Sequence, residues 1–130
     1  MTFGSALKRL NSNDAWTPQD YALRALAKRY GLNNLPTEMR EYLKRNPFLF
    51  EARDTQVPPR GDWRTWLFMG GRGAGKTRAG AEWVRMAVKA GCRRVALVGP
   101  ALSDVREVMI EGPSGLRHLE GAGGIPFYEV

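Results

Sequence analysis

The chain has 130 residues, 43% hydrophobic and 25% charged, with 20 Lys and Arg against 13 Asp and Glu. These figures suit one small soluble domain with a real core and exclude a multi-domain enzyme. The net charge of +7 favours a polyanionic partner, whether nucleotide phosphate, nucleic acid or an acidic membrane face, without choosing among them.

One cysteine, Cys92, makes no internal disulfide and completes no zinc spacing. The single His118 reads as a surface loop residue, because metal sites need several donors together. No apolar run approaches the roughly 20 residues that span a bilayer. Met1 to Asn13 lacks the apolar stretch of a secretory signal. A soluble protein of a reducing compartment is expected, without a membrane partner.

Residues 1–53 read as a helical, polar segment. Thr17-Pro18-Gln19-Asp20 supplies a cap, a proline at the first helical position and an acid in the first turn. Leu23, Leu26, Ala27 and Tyr30 follow at helical spacing, and Gly31 supplies a stop. A second helix is expected from Pro36 to Arg45, ended by Asn46-Pro47. The stretch Asp54 to Gly61, containing Pro58-Pro59, reads as a linker.

Residues 54–130 carry the pattern strand–loop–helix–strand. Thr65-Trp66-Leu67-Phe68-Met69 has the β-branched, aromatic and apolar character of a buried strand. Thr77 to Ala90 places Ala79, Trp83, Ala87 and Ala90 at helical spacing, closed by Gly91. Arg94-Val95-Ala96-Leu97-Val98 reads as a second buried strand, and Ser103 as the cap of a further helix ending at Gly112-Pro113. The fold class expected is α/β: a partial P-loop domain with two parallel strands joined by a right-handed crossover helix, preceded by the small helical segment.

Between the first expected strand and its helix lies Gly70-Gly71-Arg72-Gly73-Ala74-Gly75-Lys76-Thr77, which fits G-x-x-x-x-G-K-[ST]. Glycines let the backbone turn tightly and aim successive N–H groups at one anion, and the helix N-terminus adds its partial positive charge there. Lys76 then reaches the β- and γ-phosphates of a nucleotide such as ATP, and the Thr77 hydroxyl ligates Mg²⁺. Arg72 is a second loop cation, either a phosphate contact or an exposed loop charge. Gln56, fourteen residues before Gly70, is either an adenine-contacting amide or a solvated linker residue. Trp63, Trp66 and Trp83 read as core residues rather than base-stacking platforms.

Gly61-Asp62-Trp63-Arg64-Thr65-Trp66, the loop, and Arg78-Ala79-Gly80-Ala81-Glu82-Trp83-Val84-Arg85 together resemble the large terminase subunit of tailed phages and prophages. Val95 to Pro100 and Asp104 to Gly112 extend the resemblance, which covers about residues 53–115. It implies an ATP-driven motor that packages double-stranded DNA into a procapsid, and a nuclease that cuts concatemers. By that likeness Lys76 and Thr77 hold phosphate and Mg²⁺, Arg72 is the loop arginine of the motor, and Gln56 is the adenine-contacting glutamine. The implied partners are double-stranded DNA, a portal protein and the small terminase subunit, in a ring of full-length subunits in the host cytoplasm.

Hydrolysis by such a site needs an acid ending a buried strand to hold Mg²⁺, and a group to orient the attacking water. Val98-Gly99-Pro100 has no acid, Phe48-Leu49-Phe50-Glu51 precedes the loop, and Ile125-Pro126-Phe127-Tyr128-Glu129 contains a proline. The chain is therefore expected to be an amino-terminal piece that binds ATP without efficient turnover, its second acidic motif and nuclease domain lying beyond Val130. The alternative is a non-catalytic P-loop remnant that binds nucleotide or a partner. A GTPase is disfavoured, because neither D-x-x-G nor N-K-x-D follows the loop.

Overall fold

The structure, a computed structural model, describes residues 15–119. Met1 to Asn13 and the Ile125–Glu129 run lie outside the described residues.

Helix α1 spans Pro18–Tyr30 and starts as its sequence dictates. The Thr17 side chain accepts from the Asp20 N–H at 3.2 Å, and the Asp20 carboxylate accepts from the Thr17 N–H at 2.8 Å. This reciprocal box satisfies two donors that the helix itself leaves without partners. Gly31, at φ +80°, turns the chain out of the helix. Helix α2 spans Thr37–Arg45, and a single turn, α3, spans Phe48–Glu51. Helix α4 spans Lys76–Lys89. It closes with the Cys92 N–H donating to Ala87 O at 2.9 Å and the Gly91 N–H to Val88 O at 3.0 Å, the paired bonds of a Schellman ending around Gly91 at φ +107°. Beyond it, a short helix at Leu102–Asp104 runs into a wider π-type turn at Val105–Ile110. Ser103 sits inside that helix, and Ala101 takes the capping position in its place.

The expected α/β class is overturned. Among the described residues every regular element is helical, and neither Thr65–Met69 nor Arg94–Val98 forms a strand. Both segments lack helix, but no ladder joins them. Around the first, Trp66 and Phe68 are half-buried against the core while Leu67 is 75% and Met69 80% exposed. Val98 is 82% exposed. The composition satisfies a local preference for extended backbone, whereas a parallel sheet also requires neighbouring strands and cover on both faces. The burial goes to the helices instead.

One apolar core joins α1, the α2–α3 region and α4. Leu23 and Ala27 of α1 meet Leu43, Phe48, Leu49 and Ala52, and Ala79, Met86 and Ala87 of α4 pack into the same cluster. Tryptophans 66 and 83 pack partly buried against it, as expected, and Trp63 stacks edge-on to Trp66 with ring centroids 6.3 Å apart.

A buried ion cluster accompanies this core. Glu82 of α4 is 0% exposed and pairs with Arg78 at 2.9 Å and Arg85 at 2.8 Å. Arg85 also donates to Asn46 Oδ1 at 3.3 Å, and Lys89 donates to the same oxygen at 3.1 Å, tying α4 to the end of α2. Across the core the Tyr42 hydroxyl donates to Asp20 at 2.7 Å. Burial and that carboxylate hold the Tyr42 hydroxyl protonated well above the usual tyrosine range.

Removing one member of the Glu82 cluster leaves a buried charge without its partner. Glu82→Leu is expected to destabilise the fold by about 3–5 kcal/mol in a denaturant titration. The double variant Glu82→Leu with Arg85→Met is expected to recover most of that loss.

Candidate phosphate-binding loop

The loop takes its shape from two glycines, Gly75, which the motif requires, and Gly73, at one of the motif's open positions. Gly73 lies at φ +79° and Gly75 at φ +82°, both left-handed, a region that favours glycine. Gly75 is the residue before α4, and its carbonyl accepts the first bond of the helix, from the Ala79 N–H at 2.9 Å. The leading N–H groups of α4 have no acceptor within the helix and carry the positive end of its dipole.

Three cations gather at this helix start. Arg72, Lys76 and Arg78 line a cavity of about 510 Å³ together with Gly73, Ala74, Gly75, Thr77, Val108 and Ser114. That volume lies within the roughly 300–1,000 Å³ of small-molecule sites. No carboxylate is among its lining residues. Lys76 folds back across the loop, its ammonium donating to Gly70 O at 2.6 Å and Gly71 O at 2.9 Å. Arg72 is exposed, and among the described residues it has no ion-pair partner. Arg78 is held by Glu82 and lies over the Phe48 ring, 5.6 Å from its centroid.

The expected site residues therefore divide. Arg72, Gly73, Ala74, Gly75, Lys76 and Thr77 come together on the cavity wall. Gly70 and Gly71 contribute the carbonyls that hold Lys76 and are not part of that wall. Gln56 reaches the loop from behind. Its residue is 7% exposed, its Oε1 accepts from the Arg53 N–H at 3.0 Å, and its Nε2 donates to Gly75 O at 3.2 Å. A backbone N–H on one side and a carbonyl on the other fix which way the amide faces.

The expected linker is here a short 3₁₀ turn, Asp54–Gln56, fastened to α1. Asp54 is gripped by Arg24 and Lys28, each at 2.7 Å. The Lys28 and Arg24 hydrogen bonds hold its carboxyl below the usual carboxylate range. Arg24 also donates to Leu49 O at 2.8 Å and Ala52 O at 2.7 Å.

Sequence reasoning gave no place in the site to Arg53, Arg78, Val108 or Ser114. Arg53 reaches Gly73 O at 3.4 Å, a contact between residues twenty apart that no periodicity announces. Arg78 follows the motif directly and faces Glu82 four residues on, a helical spacing that was open to view.

Thr77 offers one hydroxyl oxygen on the wall, and among the described residues no group of three or more His, Cys, Asp or Glu side chains converges as a metal site. The donors among the described residues do not make a cation cage, so with these residues Mg²⁺ fits here in company with phosphate oxygens and water. Cys92 is a half-buried free thiol, and His118 is exposed, its ring nitrogen 3.1 Å from Gly112 O. Among the described residues no helix is long and apolar enough to cross a membrane. No family model, curated protein or solved structure matches the chain.

Two glycines of this region respond oppositely to alanine. At Gly75 an added Cβ collides with the Gln56 amide in a left-handed backbone, while at Gly80, on the open face of α4, it meets nothing within 4 Å. Gly75→Ala is expected to lower the melting temperature and Gly80→Ala to raise stability by roughly 0.5–1 kcal/mol, both read by thermal unfolding.

Proposed function

We propose that the chain binds the phosphates of ATP at the loop 70–77. The observation that carries this reading is the cavity at the start of α4, lined by Arg72, Lys76 and Arg78 and by no acid. A phosphate entering it meets the leading N–H groups of the helix and exchanges places with the two carbonyls that now hold the Lys76 ammonium. Arg72, exposed at the wall, adds charge without having to break an ion pair. Thr77 supplies one oxygen to a Mg²⁺ ion that arrives with the nucleotide.

On the resemblance of residues 53–115, this binding belongs to the large subunit of a terminase, the ATP-driven motor that packages double-stranded DNA into a procapsid. Double-stranded DNA, a portal protein and the small terminase subunit are then its partners, and the host cytoplasm its compartment. The acid-free cavity wall favours binding without efficient turnover by this chain, because phosphoryl transfer to water needs a group that orients the nucleophile. A nucleotide-binding protein without catalysis is thus the second reading, and it shares the same site.

Calorimetric titration with Mg-ATP tests the first point. Lys76→Ala is expected to weaken binding about tenfold or more, the loss of a charge-assisted hydrogen bond of about 1.5–3 kcal/mol. Equal affinity in the two proteins would contradict the proposal. Phosphate release is expected to stay at the Lys76→Ala background, and turnover well above it would overturn the binding-only reading.

A further inference from the structure

We infer that the loop site recognises a polyphosphate chain irrespective of the base attached to it, with Gln56 positioning the loop rather than reading adenine. The inference rests on the phosphate reading above and names its ligand class.

A glutamine reads adenine by presenting its amide oxygen and nitrogen together to the base edge. Here the Gln56 oxygen is engaged by the Arg53 N–H and the nitrogen by Gly75 O. With the residue 7% exposed, little of it remains to meet a base. The amide lies directly against Gly75, where an added Cβ would strike it. Its bond to Gly75 O falls on the same carbonyl that begins α4, so it bears on the backbone whose N–H groups meet phosphate.

The cavity wall carries the same message. Its side chains are three cations, a hydroxyl from each of Thr77 and Ser114, and the small apolar Ala74 and Val108. No aromatic ring among them offers a stacking face for a nucleobase. Every strong recognition element is one that suits an anion.

The test is a titration of the full chain, in Mg²⁺, with ATP, GTP and inorganic tripolyphosphate. The three dissociation constants are expected within about threefold of one another. ATP binding tenfold tighter than both others would overturn the inference and leave the phosphate reading standing. Binding of none of the three would overturn both. Gln56→Leu adds a second arm, read only alongside its melting temperature. At an unchanged melting temperature it is expected to weaken all three ligands by a common factor. Loss confined to ATP would show base reading and overturn the inference. If the variant does not fold, the wild-type series decides alone.

Discussion

The carbonyl oxygen of Gly75 accepts two hydrogen bonds, and the geometry of the candidate site depends on both. One comes from the Ala79 N–H and starts α4, and the other from the Gln56 amide. A carbonyl has two lone pairs, so neither bond displaces the other. The helix thereby begins at a point fixed from outside it. Arg53 repeats the contact at Gly73 O, so both left-handed glycines of the loop are touched by the Asp54–Gln56 turn or its neighbour. That turn is held in its own place by Arg24 and Lys28 of α1 through Asp54. A chain of short polar contacts thus runs from the first helix to the loop, over an apolar core shared by α1, α3 and α4.

The basic charge reads differently once these contacts are known. Residues 61–100 carry 8 basic and 2 acidic side chains, an excess that by itself reads as no more than a solvated basic face. Arg78 and Arg85 are committed to Glu82, and Lys89 to Asn46 and the face of Tyr42. Lys76 rests on two carbonyls, which an anion can replace at small cost in an exposed setting. The charge available at the site is therefore narrower than the total, and it centres on Lys76 and Arg72.

What the sequence made legible is what local chemistry determines. The Thr17–Asp20 box, the Gly91 ending and the left-handed glycines of the loop each follow from a few adjacent residues. The two strands did not follow, although Trp66, Phe68, Val95 and Val98 have the right composition, because pairing is a property of partners distant in the chain. Asp54–Gln56 looked like a linker for the same reason: the residues that make it a fastened turn, Arg24 and Lys28, lie some thirty positions earlier. Gln56 was singled out by its place ahead of the loop, as an adenine contact or a solvated linker residue, and spacing did not announce that it lies buried behind the loop with its amide engaged at both ends.

The central claim is that a clamp from the helical segment holds residues 72–78 as a ready anion site. The most direct measurement is the change in backbone amide resonances as inorganic pyrophosphate is titrated into the ¹⁵N-labelled chain. Saturable shifts concentrated at the amides of residues 72–78 are the predicted result. Absence of shifts there, or changes spread instead over Arg60, Arg93 and Arg94, would contradict it.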